Sequence, residues 1–115
     1  MSEELAGNYF DRQGNPISIM DWSAKFEDVD YKVITQTDLP DGKLVSTIWL
    51  GINHRFGPGA PLIFETMVFS SRDDFGELDM DRYTTEAEAI TGHGVMVAKW
   101  TTQPETSDRD ESPTD

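Results

Sequence analysis

The most strand-like stretch of the chain is Leu62-Ile63-Phe64-Glu65-Thr66-Met67-Val68-Phe69, bounded by Pro61 and by Ser70-Ser71. Its branched and aromatic residues suit a pleated surface and predict the central strand of a sheet. A period of two sends Leu62, Phe64, Thr66 and Val68 to one face and Ile63, Glu65, Met67 and Phe69 to the other. Both faces then carry large apolar groups.

Three further segments alternate or sit beside turn chemistry. Residues 31–38 place Tyr31, Val33, Thr35 and Thr37 on one side and Lys32, Ile34 and Gln36 on the other. Leu39-Pro40-Asp41-Gly42 is a turn by composition, which predicts a hairpin pairing Thr37 with Leu44 and Val33 with Ile48. That register sets Lys32 near Trp49, within reach of a cation–π contact. After the turn at residues 72–76, residues 77–83 alternate again. Pairing Val68 with Leu78 and Phe64 with Arg82 joins Leu78 and Met80 to the Phe64 face and sets Glu65 beside Asp81, a like-charge neighbour.

Helical spacing occurs twice. Ser18 is an N-cap with Asp21 three residues on, and Ile19, Trp22 and Phe26 form the apolar stripe of a short helix over residues 19–27. Thr85 with Glu88 is a capping box opening a helix that runs to about Lys99, with Ile90, Val97 and Ala98 inward and Met96 and Trp100 flanking. Gly92 and Gly94 each cost this helix about 1 kcal/mol against alanine, which points to close packing on the sheet or to fraying. Asp11-Arg12-Gln13-Gly14-Asn15-Pro16-Ile17 is turn chemistry, and residues 52–61, with two glycines and two prolines, form a long loop.

These elements predict an α+β domain, an antiparallel sheet of about four strands with two helices on one face, occupying residues 8–100. Residues 1–7 are expected to be a flexible arm and residues 101–115 a disordered acidic tail. The helices cover the Phe64 face. The other is expected to carry Ile34, Val45, Trp49, Ile63, Met67 and Phe69 amid Glu65, Glu77, Asp79 and Asp81, a larger apolar surface than a monomer usually shows.

Charge narrows the function classes. The 115 residues hold 22 acidic and 9 basic side chains, a net charge of −13, and such a field repels phosphates, so direct nucleic-acid binding is not expected. There is no cysteine for a disulfide, a thiol nucleophile or a Cys-based zinc site; with an acidic N-terminus and no apolar run of about 20 residues, the expectation is a cytoplasmic protein without membrane association. His54 and His93 with Glu65, Asp79 or Asp81 offer a weak two-histidine, one-carboxylate metal signal, outweighed by ordinary loop and helix-surface roles. No G-x-S-x-G turn or phosphate-binding glycine pattern is present, so no catalytic residue, metal or cofactor is assigned.

Asp11 through Ile17, Val45-Ser46-Thr47-Ile48-Trp49-Leu50-Gly51, Pro61 through Phe69, and Arg82-Tyr83 with Thr85, Ala89, Gly92 and His93 resemble an uncharacterised family of small acidic proteins of phages and actinobacteria. The resemblance spans residues 8–98 and implies a phage or bacterial-host setting, without carrying over any catalytic residue. It favours accessory roles such as virion decoration or interference with a host protein. The function expected is therefore non-enzymatic protein–protein binding, to a host protein or a second copy. The binding residues expected are Ile34, Trp49, Ile63, Glu65, Met67, Phe69, Glu77, Asp79 and Asp81 on the sheet and His54, Arg55 and Phe56 in the loop. Two alternatives are a DNA mimic that presents carboxylates to a nucleic-acid-binding protein and a small metal-dependent or acid–base hydrolase.

Overall fold

The computed structural model describes residues 8–102, so the arm at residues 1–7 and nearly all of the acidic tail lie outside the described residues. Helix α1 spans Ile19–Glu27 and a short α2 spans Val29–Lys32. Strands β1 (Val33–Asp38), β2 (Leu44–Trp49), β3 (Phe64–Ser71) and β4 (Asp74–Tyr83) follow, and α3 (Glu86–Thr102) ends the order. The strands form one antiparallel meander in sequence order, an α+β arrangement with β3 in its interior.

Local signals set the helix boundaries. Ser18 Oγ accepts the Asp21 amide at 3.1 Å and starts α1. Asp28 both ends α1 and caps α2 by accepting the amides of Asp30 and Tyr31, so the acidic run expected to stop a helix also starts the next. Thr85 Oγ1 accepts the Glu88 amide at 3.1 Å, while Glu88 Oε1 reaches back to the Thr85 amide at 3.3 Å. Helix α3 then continues through Thr101 and Thr102, which the sequence had assigned to the tail.

The three described helices lie on one side of the sheet. β2 and β3 pair Val45 with Val68, Thr47 with Thr66 and Trp49 with Phe64, and these residues face the helices. Val45 and Val68 pack with Leu39 and Met96 in one apolar cluster, while Trp49, Ile63, Phe64 and Ala89 form a second. The N-terminal turn closes over the second cluster. Its Phe10 carbonyl accepts Trp49 Nε1–H at 3.0 Å, Trp22 Nε1–H reaches the Leu50 carbonyl at 2.9 Å, and the rings of Phe26 and Tyr31 lie 6.3 and 5.0 Å from that of Trp49. Arg12 ties the turn to α3 with hydrogen bonds of 2.9 and 2.5 Å to the Glu86 carboxylate.

Several expectations fail here, most through register. β3 and β4 pair Phe64 with Tyr83, Thr66 with Asp81, Met67 with Met80 and Val68 with Asp79, one residue away from the expected pairing. A one-residue slip exchanges the faces of a strand. Leu78 and Met80 accordingly leave the Phe64 side, and Asp79 and Asp81 join it. In the first hairpin Val33 does pair with Ile48, but a bulge before Thr35 pairs Thr37 with Val45 instead of Leu44. Lys32 lies over the Phe26 ring, 4.1 Å from its centroid, and not over Trp49. On α3, Ala89, His93 and Met96 are buried, whereas Ile90 and Ala98 are exposed.

Candidate protein-binding face

None of the described helices packs on the second side of the sheet. Leu44 and Phe69 are paired there, as are Ile48 with Glu65, Met67 with Met80, and Glu65 with Arg82. The alternation that buries Val45, Thr47 and Trp49 against the helices necessarily turns Leu44, Ser46 and Ile48 outward. Ile48, Met67, Phe69 and Met80 are half-buried, whereas Leu44 is buried. Polar residues interrupt this apolar strip at defined points. Gln36 Nε2 donates to Ser46 Oγ at 3.0 Å, and Arg82 Nε–H donates to Glu65 Oε2 at 3.1 Å. At one end, Arg72 spans from the β3–β4 turn to Asp38 with bonds of 2.8 and 3.0 Å, holding the Asp38 carboxyl below the usual carboxylate range. Ser46, Ile48, Glu65, Met67 and Phe69 line a shallow depression of about 50 Å³ in the middle of the face.

Of the residues expected to form this face, Glu65, Met67, Phe69 and Glu77 lie on it, with Glu77 across from Phe69. Trp49 and Ile63 do not: both are fully buried in the helix-side cluster. Ile63 precedes β3, and its carbonyl accepts the amides of both Leu50 and Gly51 at 2.7 and 3.3 Å, a local irregularity that takes it out of strict alternation. Ile34 is the extra residue of the β1 bulge and packs against the Trp49 cluster. Val45 is likewise enclosed. Asp79 faces α3, where Lys99 Nζ at 2.7 Å and Trp100 Nε1 at 2.9 Å hydrogen-bond its carboxylate and lower its pKa. Asp81 is exposed, but on the helix side. The four acids therefore do not form one carboxylate surface, which removes the arrangement that motivated a DNA mimic.

Comparison of the chain with protein-family models, curated proteins and solved structures gives no match. Polar groups also order the loop and the seam between helix and sheet. In the loop, His54 Nδ1 meets the Ile52 carbonyl at 2.9 Å, Arg55 Nε–H donates to the Ala60 carbonyl at 2.5 Å, and Asn53 Oδ1 accepts the amides of Arg55 and Leu62. His54 and Arg55 thus brace the loop, while Phe56 projects from it fully exposed.

The seam between α3 and the sheet was not expected. His93, expected on a helix surface, is 6% exposed. Its Nε2 lies 2.9 Å from Thr37 Oγ1 and its Nδ1 lies 2.8 Å from Thr47 Oγ1, which is 2.5 Å from Thr66 Oγ1. Burial lowers the His93 pKa. The same seam buries the Tyr83 hydroxyl, which has no hydrogen-bond partner among the described residues, and burial raises its pKa. No group of three or more His, Asp or Glu side chains among the described residues is placed to hold a metal ion. A period-3.6 reading extended one turn toward the N-terminus, through Ala89, His93 and Met96, would have found the buried stripe.

Proposed function

We propose that this protein is a non-enzymatic accessory protein that binds another protein on the helix-free face of its sheet. The observation that carries this reading is the strip of Ile48, Met67, Phe69 and Met80, half-buried residues that the described helices leave uncovered. Such a patch favours a partner because covering it removes apolar surface from water, at about 25 cal/mol per Å². With a net charge of −13, the complementary surface is a basic protein with an apolar centre, whose approach this charge accelerates. The resemblance to small phage and actinobacterial proteins supports a host protein as that partner, in the host cytoplasm. No described helix is long and apolar enough to cross a membrane.

Capture of host proteins by the wild-type chain and by Phe69→Asp, at low and high salt, tests the proposal. The wild type retains a defined partner and the variant, still folded, loses it; equal retention by both rejects the face. Sedimentation of the isolated chain separates a second copy from a foreign partner. Trp49→Ala is unsuitable for this purpose, since its fully buried indole belongs to the core, where such a truncation costs about 3–5 kcal/mol.

A further inference from the structure

The face contains one group that an apolar partner alone would leave in difficulty. The Glu65 side chain is 7% exposed, yet it lines the depression. Its Oε2 accepts from Arg82, but Oε1 receives no hydrogen bond among the described residues. In the isolated protein, water reaches the depression. A partner that covers the face removes that water, and an ionised oxygen enclosed without a donor is strongly unfavourable. The partner must therefore supply a donor at this point.

We infer that the depression is a recognition pocket for a lysine or arginine side chain of the partner, an inference that rests on the docking face proposed above. Its volume, about 50 Å³, exceeds the roughly 10–15 Å³ that holds one water, so it admits an ammonium group or the end of a guanidinium. The walls fit the rest of such a side chain. Ile48, Met67 and Phe69 offer apolar surface to the methylene stem, and Ser46 completes the lining with Glu65. Arg82 is no substitute, since its Nε–H occupies the other oxygen and a carboxylate accepts from two cations at once. The chain's negative charge selects a cationic donor over a neutral one.

The test is an NMR titration of the full chain with four nonapeptides that share apolar flanks and differ only in a central lysine, arginine, Nε-acetyl-lysine or norleucine. The lysine and arginine peptides are expected to shift the amides of Ser46, Ile48, Glu65, Met67 and Phe69, and to bind on the order of tenfold more tightly than the other two. Glu65→Gln, whose amide oxygen still accepts from Arg82, erases that preference. Met67→Lys, which offers the pocket an internal ammonium, blocks the basic peptides and covers the case in which Glu65→Gln fails to fold. Equal affinity for all four peptides at this face overturns the pocket and leaves the docking face standing. Absence of shifts at these amides with every peptide rejects both.

Discussion

Gly92 and Gly94 lie two residues apart in α3, yet the same substitution should move stability in opposite directions. Helix propensity alone favours alanine over glycine by about 1 kcal/mol at each position. At Gly94 nothing lies within 4 Å of an added Cβ, so Gly94→Ala should realise that gain. At Gly92 the added Cβ would stand under 3.0 Å from the Tyr83 ring and hydroxyl, where ordinary contact needs 3.4 Å or more. The ring is wedged between helix and sheet, and forcing it aside belongs with overpacking, which costs about 1–3 kcal/mol. Gly92→Ala should therefore be neutral to destabilising by up to about 2 kcal/mol, and the two variants should differ by about 1–3 kcal/mol. Thermal unfolding followed by circular dichroism resolves this, since 1 kcal/mol moves the midpoint of a domain of this size by about 4–8 °C. Tyr83→Val supplies the control. In that background Gly92→Ala should become stabilising, a coupling that a double-mutant cycle measures directly. If Gly92→Ala is as stable as Gly94→Ala, helix and sheet are further apart than the Tyr83 contact requires.

Two more expectations concern groups that join elements. Because burial holds the folded pKa of His93 below its ordinary 6.5, the unfolded chain takes up a proton first as pH falls. Stability should be level above about pH 6.5 and decline below it by up to about 1.4 kcal/mol per pH unit, in urea titrations that His93→Gln flattens between pH 6.5 and 5; an unchanged slope in the variant refutes the assignment. The lowered carboxyls Asp79 and Glu86 add their loss only below their ordinary 3.8 and 4.5, outside that window. Arg12→Ala, which removes the half-buried link to Glu86, should cost about 1 kcal/mol and speed proteolysis near residues 11–17; matching cleavage rates would show that the turn is held without that link.

How far the sequence went differs between elements for identifiable reasons. Capping is local, so Ser18 and Thr85 could be read from their neighbours, and both hold in the structure. Face assignment is not local. β2 carries Leu44 and Ile48 on one parity and Val45 and Trp49 on the other, so hydrophobicity cannot choose which pair meets the helices. The choice is made by Trp49, whose indole N–H finds the Phe10 carbonyl on the helix side. In β4 the alternation of Leu78 and Met80 with Asp79 and Asp81 pointed the wrong way. As an edge strand it can turn an acid toward the helices, provided partners from the end of α3 reach that acid, and Lys99 and Trp100 do so for Asp79. Met67 and Phe69 fall on the outer face by the period of two within β3, which needs no knowledge of its neighbours. The depression could not be seen, because it needs the pairing of Ile48 with Glu65 and of Glu65 with Arg82.

The polar seam explains why the helices settle on one face in one position and leave the other face bare. Apolar clusters alone tolerate sliding, since a helix moved by one turn still finds apolar contacts at both ends. His93 does not tolerate it. A neutral imidazole has one donor and one acceptor, and Thr37 on β1 and Thr47 on β2 take one each, with Thr66 on β3 completing the chain. Displacing α3 by a turn, about 5.4 Å, would bury these hydroxyls and the ring unpaired, at about 1–3 kcal/mol for each group. Two apolar clusters separated by a satisfied polar line therefore fix α3 across three strands. Glycine at position 92 lets the helix come close enough for His93 to span Thr37 and Thr47. The outer face carries no equivalent line: among the described residues its Glu65 carboxylate receives a hydrogen bond on one oxygen only, and the proposed recognition pocket rests on that asymmetry.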